Sequence, residues 1–254
     1  MKISPIPALK DNYIWALHDE QSLAVVDPAE AEPVLKFIQK HQLNLTTILI
    51  THHHHDHTGG IAGLLEAFPN TQVYAPASEQ VICAKHKLQQ PDVISISQPN
   101  CKFAVLDVAG HTAGHIAYLS EGALFCGDAL FHAGCGRLFE GDAHNLQNTM
   151  NKLAHLPGET LIYCGHEYSQ ANLEFAATVE PDNQNIQLAI AEVQRKLSAG
   201  LPSLPSSIAE QKQLNPFLRA NSATIKTSLE QHFHTEFNSE LAILAGLRKW
   251  KDVF

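Results

Sequence analysis

The sequence has few of the residues that build disulfide-rich, nucleic-acid-binding or membrane-spanning proteins. Its five cysteines are an odd number without any Cys-x-x-Cys pair, so neither a disulfide framework nor a thiolate zinc knuckle is predicted. Lysine and arginine number 17 against 26 acidic residues, a formal charge of −9, and nucleic acid is therefore not expected as a partner. No uncharged apolar run approaches the roughly 20 residues that span a bilayer, and the N-terminus has no apolar signal segment. We expect a cytoplasmic protein with no membrane partner.

Histidine is the residue present in excess. Sixteen histidines occur in a chain that is 44% hydrophobic and 17% charged, and five of them fall between positions 52 and 57. The remaining composition is that of a globular protein. A length of 254 residues allows a main domain with a smaller appendage.

Four short apolar runs each lead to a potential metal ligand. They are residues 47–51 before His52, residues 103–108 before His111, residues 123–126 before Asp128 and residues 161–164 before His166. Runs of this length and composition are typical of buried strands. Open α/β sheets commonly place their sites at the carboxyl ends of strands, so an α/β fold with a metal site at these ends is predicted.

The character of the chain changes after residue 166. The first part also contains a predicted hairpin, residues 13–18 and 23–26, and a predicted helix, residues 30–41. The second part has helical patterns at 169–179, 185–199 and 225–233, with a Pro/Ser-rich loop at 201–207 and no strand-like run. We therefore predict a metal domain over residues 1–166 and a helical domain over residues 167–254.

The segment 51–60, Thr-His-His-His-His-Asp-His-Thr-Gly-Gly, contains the pattern HxHxDH. Imidazole and carboxylate suit zinc, with iron and manganese as competitors. Together with the candidate ligands at the other strand ends, the number of ligands suits two metal ions. We assign His52, His54 and His111 to the first ion, Asp56, His57 and His166 to the second, and Asp128 as a bridge between both.

The remaining residues around these motifs are predicted to support the site rather than form it. His53 and His55 alternate with the ligands and should point away from the metals, and His115 is expected to pack beside them. Cys135 lies in a Gly-rich turn but is interpreted as a small packing residue, because the metals already supply a nucleophile.

Four motifs carry a family resemblance. They are THHHHDHTGG, GHTAGH, FCGDALF and YCGHEY, and in this order they resemble the motifs of the metallo-β-lactamase superfamily. That resemblance implies an αββα sandwich. Because one fold serves many reactions, it does not by itself fix the substrate.

A narrower resemblance, to the glyoxalase II (hydroxyacylglutathione hydrolase) family, covers essentially the whole chain. It rests on AGCGRLFEG, GHEYSQANLEFA, VEPDN, NPFLR and the terminal RKWKDVF. The resemblance implies a metal-dependent thioester hydrolase that converts S-lactoylglutathione to glutathione and D-lactate, the second step of methylglyoxal degradation. The small-molecule glutathione thioester is then the expected partner, and a monomer is expected.

By the same resemblance, glutathione is bound by Arg137, Phe139, Tyr168, Arg248 and Lys251. Arg248 and Lys251 are three residues apart, which places both on one helix face. Some relatives carry tyrosine at the position of Phe139 and lysine at that of Arg137. A hydroxyl contact is therefore lost at Phe139, and the charge at Arg137 is kept with a different geometry.

The expected chemistry is attack of hydroxide on the thioester. Two close cations lower the pKa of a shared water from about 15.7 toward neutrality. Asp128, His54 and Asp56 are the predicted catalytic residues.

The alternative from another reaction class is a mononuclear-iron persulfide dioxygenase of the same superfamily. The number of bound metal ions and the uptake of oxygen distinguish this enzyme from the hydrolase. Lactonase or phosphodiesterase activity and a non-catalytic binding module are weaker alternatives.

Overall fold

The computed structural model describes residues 1–254, and the chain divides into two compact units. The first comprises residues 1–107, 114–127 and 163–166, and the second comprises residues 108–113, 128–162 and 167–254. The second unit also contains two segments that precede residue 166, so this division does not test the predicted domain boundary there. That boundary stays a prediction.

The first unit contains a six-stranded sheet in the order β1-β2-β3-β4-β5-β6. Its strands are β1 (Lys2–Ala8), β2 (Asn12–His18), β3 (Ser22–Val26), β4 (Asn44–Leu49), β5 (Gln72–Pro76) and β6 (His86–Leu88). The first three strands are antiparallel and the last three connections are parallel. The predicted hairpin is confirmed, since β2 and β3 pair with Trp15 opposite Val26.

Three helices connect the strands of this sheet: α1 (Ala31–His41), α2 (His55–Thr58) and α3 (Ile61–Ala67). The predicted helix at 30–41 is confirmed by α1. Its residues Val34 and Ile38 are one turn apart, and both are buried in a cluster that also contains Ile48 and Ile50. The apolar face of α1 therefore packs on the residues that precede the histidine-rich turn.

The second sheet has the order β12-β11-β10-β9-β8-β7. Its strands are β7 (Val93–Ser97), β8 (Asn100–Asp107), β9 (Ile116–Ser120), β10 (Ala123–Gly127), β11 (Leu161–Cys164) and β12 (Ser206–Ser207). The predicted strands leading to His111, Asp128 and His166 are confirmed as β8, β10 and β11. The expectation of no strand after residue 166 is wrong, because Ser206 and Ser207 pair with Ile162 and Leu161.

Of this second sheet, only β12 and the first residues of β11 belong to the second unit, which is mainly helical. Its helices are α4 (Ala143–Ala154), α5 (Ser169–Val179), α6 (Gln184–Ser198), α7 (Ile208–Leu214), α8 (Ala223–Phe233) and α9 (Glu240–Asp252), with a 3₁₀ turn at Pro216–Leu218. The three helices predicted from periodicity are confirmed as α5, α6 and α8. Leu173, Ala176, Ile186, Val193 and Leu214 form an apolar core between α5, α6 and α7. None of the helices in the structure is long and apolar enough to cross a membrane.

Candidate metal centre

The histidine-rich turn begins directly after β4. Leu49 ends the strand and His52 follows three residues later, at the start of a turn that continues into α2. Gly59 and Gly60 close this turn against another segment of the first unit. A Cβ on Gly60 would lie 2.7 Å from the carbonyl oxygen of Pro28, and one on Gly59 would lie 2.6 Å from that of Ala29. The Gly-Gly pair is therefore required by close backbone approach.

His52 and His54 face each other within this turn. Their Nε2 and Nδ1 atoms lie 3.2 Å apart, and His52 is fully buried. On its other side, the Nδ1 of His52 lies 3.1 Å from the hydroxyl of Thr51. That hydroxyl donates to Asp27, so it accepts the proton of His52 Nδ1. The lone pair of His52 therefore sits on Nε2, the nitrogen that faces His54.

Asp56, His57 and His166 form a second group in the first unit, with ligand atoms within 4.8 Å of one another. Oδ2 of Asp56 lies 3.5 Å from Nε2 of His57 and 3.3 Å from Nε2 of His166. Nδ1 of His57 donates to Oδ2 of Asp27 at 3.0 Å, and Nδ1 of His166 donates to Oδ1 of Asp11 at 2.9 Å. In both histidines the Nε2 lone pair is thus directed to Asp56.

These spacings fit a metal ion. Ligands bound to zinc at about 2.0–2.1 Å in a tetrahedron lie about 3.3 Å from one another. The pairs described above fall between 3.2 and 3.5 Å. The donor set of imidazole and carboxylate suits a divalent transition metal, and a carboxylate holding the opposite ring nitrogen is the usual companion of a histidine ligand. The residues of the first unit can therefore hold a divalent metal.

Asp27 organises both histidine groups, and the sequence pattern did not indicate it. This buried carboxylate accepts from the backbone N–H of Thr51 at 2.8 Å and from the Thr51 hydroxyl at 2.7 Å, besides Nδ1 of His57 at 3.0 Å. Its backbone is left-handed, with φ of 52°. The available signal was an aspartate at the end of an apolar run, at positions 23–27, the same pattern that identified the ligands themselves.

The second unit brings the remaining two predicted ligands together. Nε2 of His111 lies 3.5 Å from Oδ2 of Asp128, and both side chains are buried. Nδ1 of His111 lies 2.9 Å from the carbonyl oxygen of Arg137, an acceptor that again leaves the lone pair on Nε2. Gly136 allows this approach, because a Cβ there would lie 2.9 Å from Nδ1 of His111.

The histidines predicted to support the site have other partners. Nδ1 of His53 lies 3.1 Å from the buried carboxylate of Glu79, and His53 and His55 line a cavity with Cys83. His115 is buried and its ring stacks on that of His52, with centroids 4.6 Å apart and an interplanar angle of 15°. His115 thus packs beside a predicted ligand, as the sequence suggested.

A cluster of cations lies in the second unit near the end of α9. Asp252 Oδ1 lies 3.0 Å from Nη2 of Arg248 and 3.8 Å from Nε of Arg137. Arg248 is buried and donates from Nη1 to the carbonyl oxygen of Cys135 at 2.9 Å. Burial, and then the charge of Arg248, lower the pKa of Lys251 to about 8. Three cations therefore share one neighbourhood in an acidic protein.

The two aromatic residues predicted to bind substrate differ in exposure. Phe139 is 64% exposed, its ring centroid lies 5.2 Å from that of His111, and its backbone N–H donates to the His111 carbonyl. Tyr168 is 37% exposed and packs edge-on against Phe131 at 5.2 Å.

Cys135 contacts α9 through Arg248, whose Nη1 lies 3.6 Å from its Sγ. It is buried, and burial raises the pKa of its thiol. A neutral buried thiol is a poor nucleophile, so its interpretation as a packing residue agrees with the structure.

Comparison with known proteins identifies the family. Residues 10–166 match the model of the metallo-beta-lactamase superfamily, and residues 167–254 match that of the hydroxyacylglutathione hydrolase C-terminus. A hydroxyacylglutathione hydrolase of Nitrosomonas eutropha is 46% identical over 252 residues, covering 99% of this chain and 98% of that protein. One of Aliivibrio salmonicida is 47% identical over 253 residues, covering 99% of each.

A solved structure supports the fold. The crystal structure of BLEG-1 B3 metallo-beta-lactamase aligns with a TM-score of 0.64 at 22% identity, covering 85% of this chain and 99% of that one. The predicted α/β metallo-β-lactamase fold with a C-terminal helical region is therefore confirmed. Together, the two matched models and the full-length relatives show that the chain belongs to the hydroxyacylglutathione hydrolase (glyoxalase II) family of the metallo-β-lactamase superfamily.

Proposed function

We propose that this protein hydrolyses S-(2-hydroxyacyl)glutathione, with S-lactoylglutathione as the principal substrate, to glutathione and a 2-hydroxy acid. For S-lactoylglutathione the acid is D-lactate, which makes this the second step of methylglyoxal degradation. One observation carries the proposal. A chain with histidine and aspartate groups suited to divalent metals also has a cluster of three cations, Arg137, Arg248 and Lys251, around Asp252.

We propose two zinc ions per chain, with iron or manganese able to replace them. The proposed ligands are His52, His54 and His111 for one ion, Asp56, His57 and His166 for the other, and Asp128 for both. When bound, such ions supply Lewis acidity and lower the pKa of water toward 7. The carboxylates Asp128 and Asp56 offset part of the positive charge, and His54 completes the histidine set. These three are the proposed catalytic residues.

The second unit supplies the proposed binding groups for glutathione. Arg137 and Lys251 pair with the carboxylates of the tripeptide, and Arg248 supports them by fixing the carbonyl oxygens of Cys135 and Gly136. The Phe139 backbone and the Tyr168 side chain contribute further contacts. Hydrolysis breaks the C–S bond, and the carbonyl carbon gains the water oxygen. The thiolate of glutathione is a good leaving group, with a conjugate-acid pKa of about 8.5, so no side chain is needed to protonate it.

The alternative is a mononuclear-iron persulfide dioxygenase of the same superfamily. It would use a single ion and consume oxygen. The Asp56–His57–His166 group favours the hydrolase, because its spacing suits an ion in addition to the one assigned to the His52–His54 pair. We also propose that the protein is cytoplasmic and monomeric and that it has no nucleic-acid partner.

The test is an anaerobic and aerobic assay of S-lactoylglutathione, with elemental analysis of the same sample. Loss of the thioester absorbance at equal rates with and without oxygen, about two ions per chain, and inhibition by a chelator are expected. Oxygen uptake with a glutathione persulfide and one iron per chain would replace this proposal with the alternative. Thioester loss that a chelator does not affect would remove metal-dependent hydrolysis altogether.

A further inference from the structure

The β1–β2 turn, taken here as residues 9–11 together with Asn12 at the start of β2, contacts two of the predicted ligands of the second metal ion. Oδ1 of Asp11 lies 2.9 Å from Nδ1 of His166. The side-chain amide of Asn12 donates to the backbone oxygen of Asp56 at 3.0 Å and to its Oδ2 at 3.2 Å. Two neighbouring residues therefore hold two ligands that are 110 positions apart in the sequence.

The turn is itself fastened to the strand end that carries His166. The backbone N–H of Tyr13 donates to the carbonyl oxygen of Gly165 at 2.8 Å, and Asn12 forms an isolated β-bridge with His166. Asn12 is buried, whereas Asp11 is half-buried. The side chains of both residues consequently have little freedom to move relative to His166.

Asn12 acts on the particular oxygen that faces both histidines. Oδ2 of Asp56 receives the amide proton of Asn12 and also lies 3.5 Å from Nε2 of His57 and 3.3 Å from Nε2 of His166. A hydrogen bond to one lone pair of a carboxylate oxygen fixes the direction of the other. Asp11 does the same for His166, since it holds the proton on Nδ1 and leaves the lone pair on Nε2.

The His52–His54 pair has a different support. His52 is held by Thr51, which lies next to it at the end of β4, and Thr51 is held by Asp27. The Asp56–His57–His166 group and the His52–His54 pair are thus hydrogen-bonded to different supporting residues. Those of the first come from the β1–β2 turn, and those of the second come from the ends of β3 and β4. His57 also contacts Asp27, so the difference rests on Asp56 and His166.

We infer that Asp11 and Asn12 are positioning residues that set the metal affinity of the Asp56–His57–His166 group separately from that of the His52–His54 group. This inference rests on the proposed function only in taking these groups as the sites of two ions. It assigns to the β1–β2 turn control over whether the chain is a one-metal or a two-metal protein.

The test is stepwise loading of the full-length, metal-free chain with Zn²⁺ against a competing chromophoric chelator, repeated with Co²⁺ to record the visible spectrum of each step. Asp11→Ala and Asn12→Ala are compared with the wild type, and Asp56→Ala identifies the step that belongs to its group. Asp11→Asn retains an acceptor for His166 and should restore most of the affinity. Asp19→Ala is the matched control, because Asp19 caps the next turn by accepting from Gln21 and Ser22.

Loss of a residue that hydrogen-bonds to a metal ligand, without itself binding the metal, lowers the metal affinity about 10- to 100-fold. We expect that factor in the step marked by Asp56→Ala, with the other step and its Co²⁺ spectrum unchanged. The unchanged step also shows that the variants are folded. Equal weakening of both steps, or of neither, would overturn the inference while leaving the hydrolase proposal in place. Wild-type chain that loads in two steps but leaves S-lactoylglutathione intact would overturn the function and not the positioning role.

Discussion

Among single side chains, Asp128 is the carboxylate proposed to contact both metal ions, whereas Lys251 is proposed to contact the substrate and no metal ion. Asp128→Asn and His54→Ala should therefore lower kcat by more than about 100-fold. Loss of a residue that only hydrogen-bonds to a metal ligand already lowers metal affinity or activity about 10- to 100-fold. Lys251→Ala should raise KM by about 10-fold with kcat nearly unchanged, because it removes one charged hydrogen bond from substrate and transition state alike. Steady-state kinetics with S-lactoylglutathione measure both. An effect of all three changes on KM alone would contradict the assignment.

Lys251 also predicts how substrate binding depends on pH. Burial and Arg248 lower the pKa of its ammonium group to about 8, so the group is charged below that pH and loses its charge above it. KM should therefore rise between pH 7 and pH 9, as attraction for the glutathione carboxylates is lost. In Lys251→Arg the guanidinium stays charged throughout this range, and the rise should disappear. If the variant keeps the same rise, the titrating group is another one.

At the scale of elements, the end of β10 packs tightly against the end of β4. Gly127 has a left-handed φ of 47°, and a Cβ there would collide with the hydroxyl of Thr51 and lie 3.0 Å from the His115 ring. Gly127→Ala should therefore destabilise the fold by about 1–3 kcal/mol, and it should also reduce bound metal because Thr51 holds His52. Urea unfolding and elemental analysis measure the two effects.

Gly122→Ala is the control for that substitution. Gly122 has a φ of 70°, with nothing within 4 Å of an added Cβ, so only the backbone penalty should appear and metal content should stay normal. Equal metal loss in both variants would show that backbone strain, and not the collision with Thr51, disturbs the ligands.

The predictable elements were those with a regular pattern. The strand β10 is a continuous apolar run and β4 ends in one. Each leads to a predicted ligand, so the type and place of both strands followed from the sequence. The strand β12 did not, because two serines in a Pro/Ser-rich loop carry no periodicity and pair only through their neighbour β11. Asp11 and Asn12 were missed for a related reason: they meet Asp56 and His166 only in the folded chain.

At the scale of the whole molecule, the two proposed metal ions should contribute to stability. A ligand that binds only the folded state stabilises it by about 2.7 kcal/mol when present at about 100 times its Kd. Removal of metal by a chelator should therefore lower Tm, and Zn²⁺ should restore it. The shift should be smaller in Asp56→Ala, which lacks a ligand of one ion. Differential scanning calorimetry at fixed free Zn²⁺ measures this, and a Tm that chelator leaves unchanged would count against metal bound in the folded state.

Family and fold could be predicted from the sequence because the motifs extend along the whole chain, from the histidine-rich turn to the terminal helix α9. The division into compact units could not be predicted from the sequence, because residues 108–113 and 128–162 group with the C-terminal helices by their contacts. Chain order alone does not record such contacts. The substrate contacts at Phe139 and Tyr168 stay predictions, because both side chains are exposed or partly exposed and only a bound ligand would define their geometry.

Asp27 has a consequence for protein engineering. Its single carboxylate binds the Thr51 backbone, the Thr51 hydroxyl and the His57 ring, and it does so from a backbone conformation that side chains rarely adopt. A designer who grafts only the heptapeptide from Thr51 to His57 onto a foreign scaffold would transfer the donor atoms without the anchor that aims them. A successful transplant has to carry the loop containing Asp27 as well.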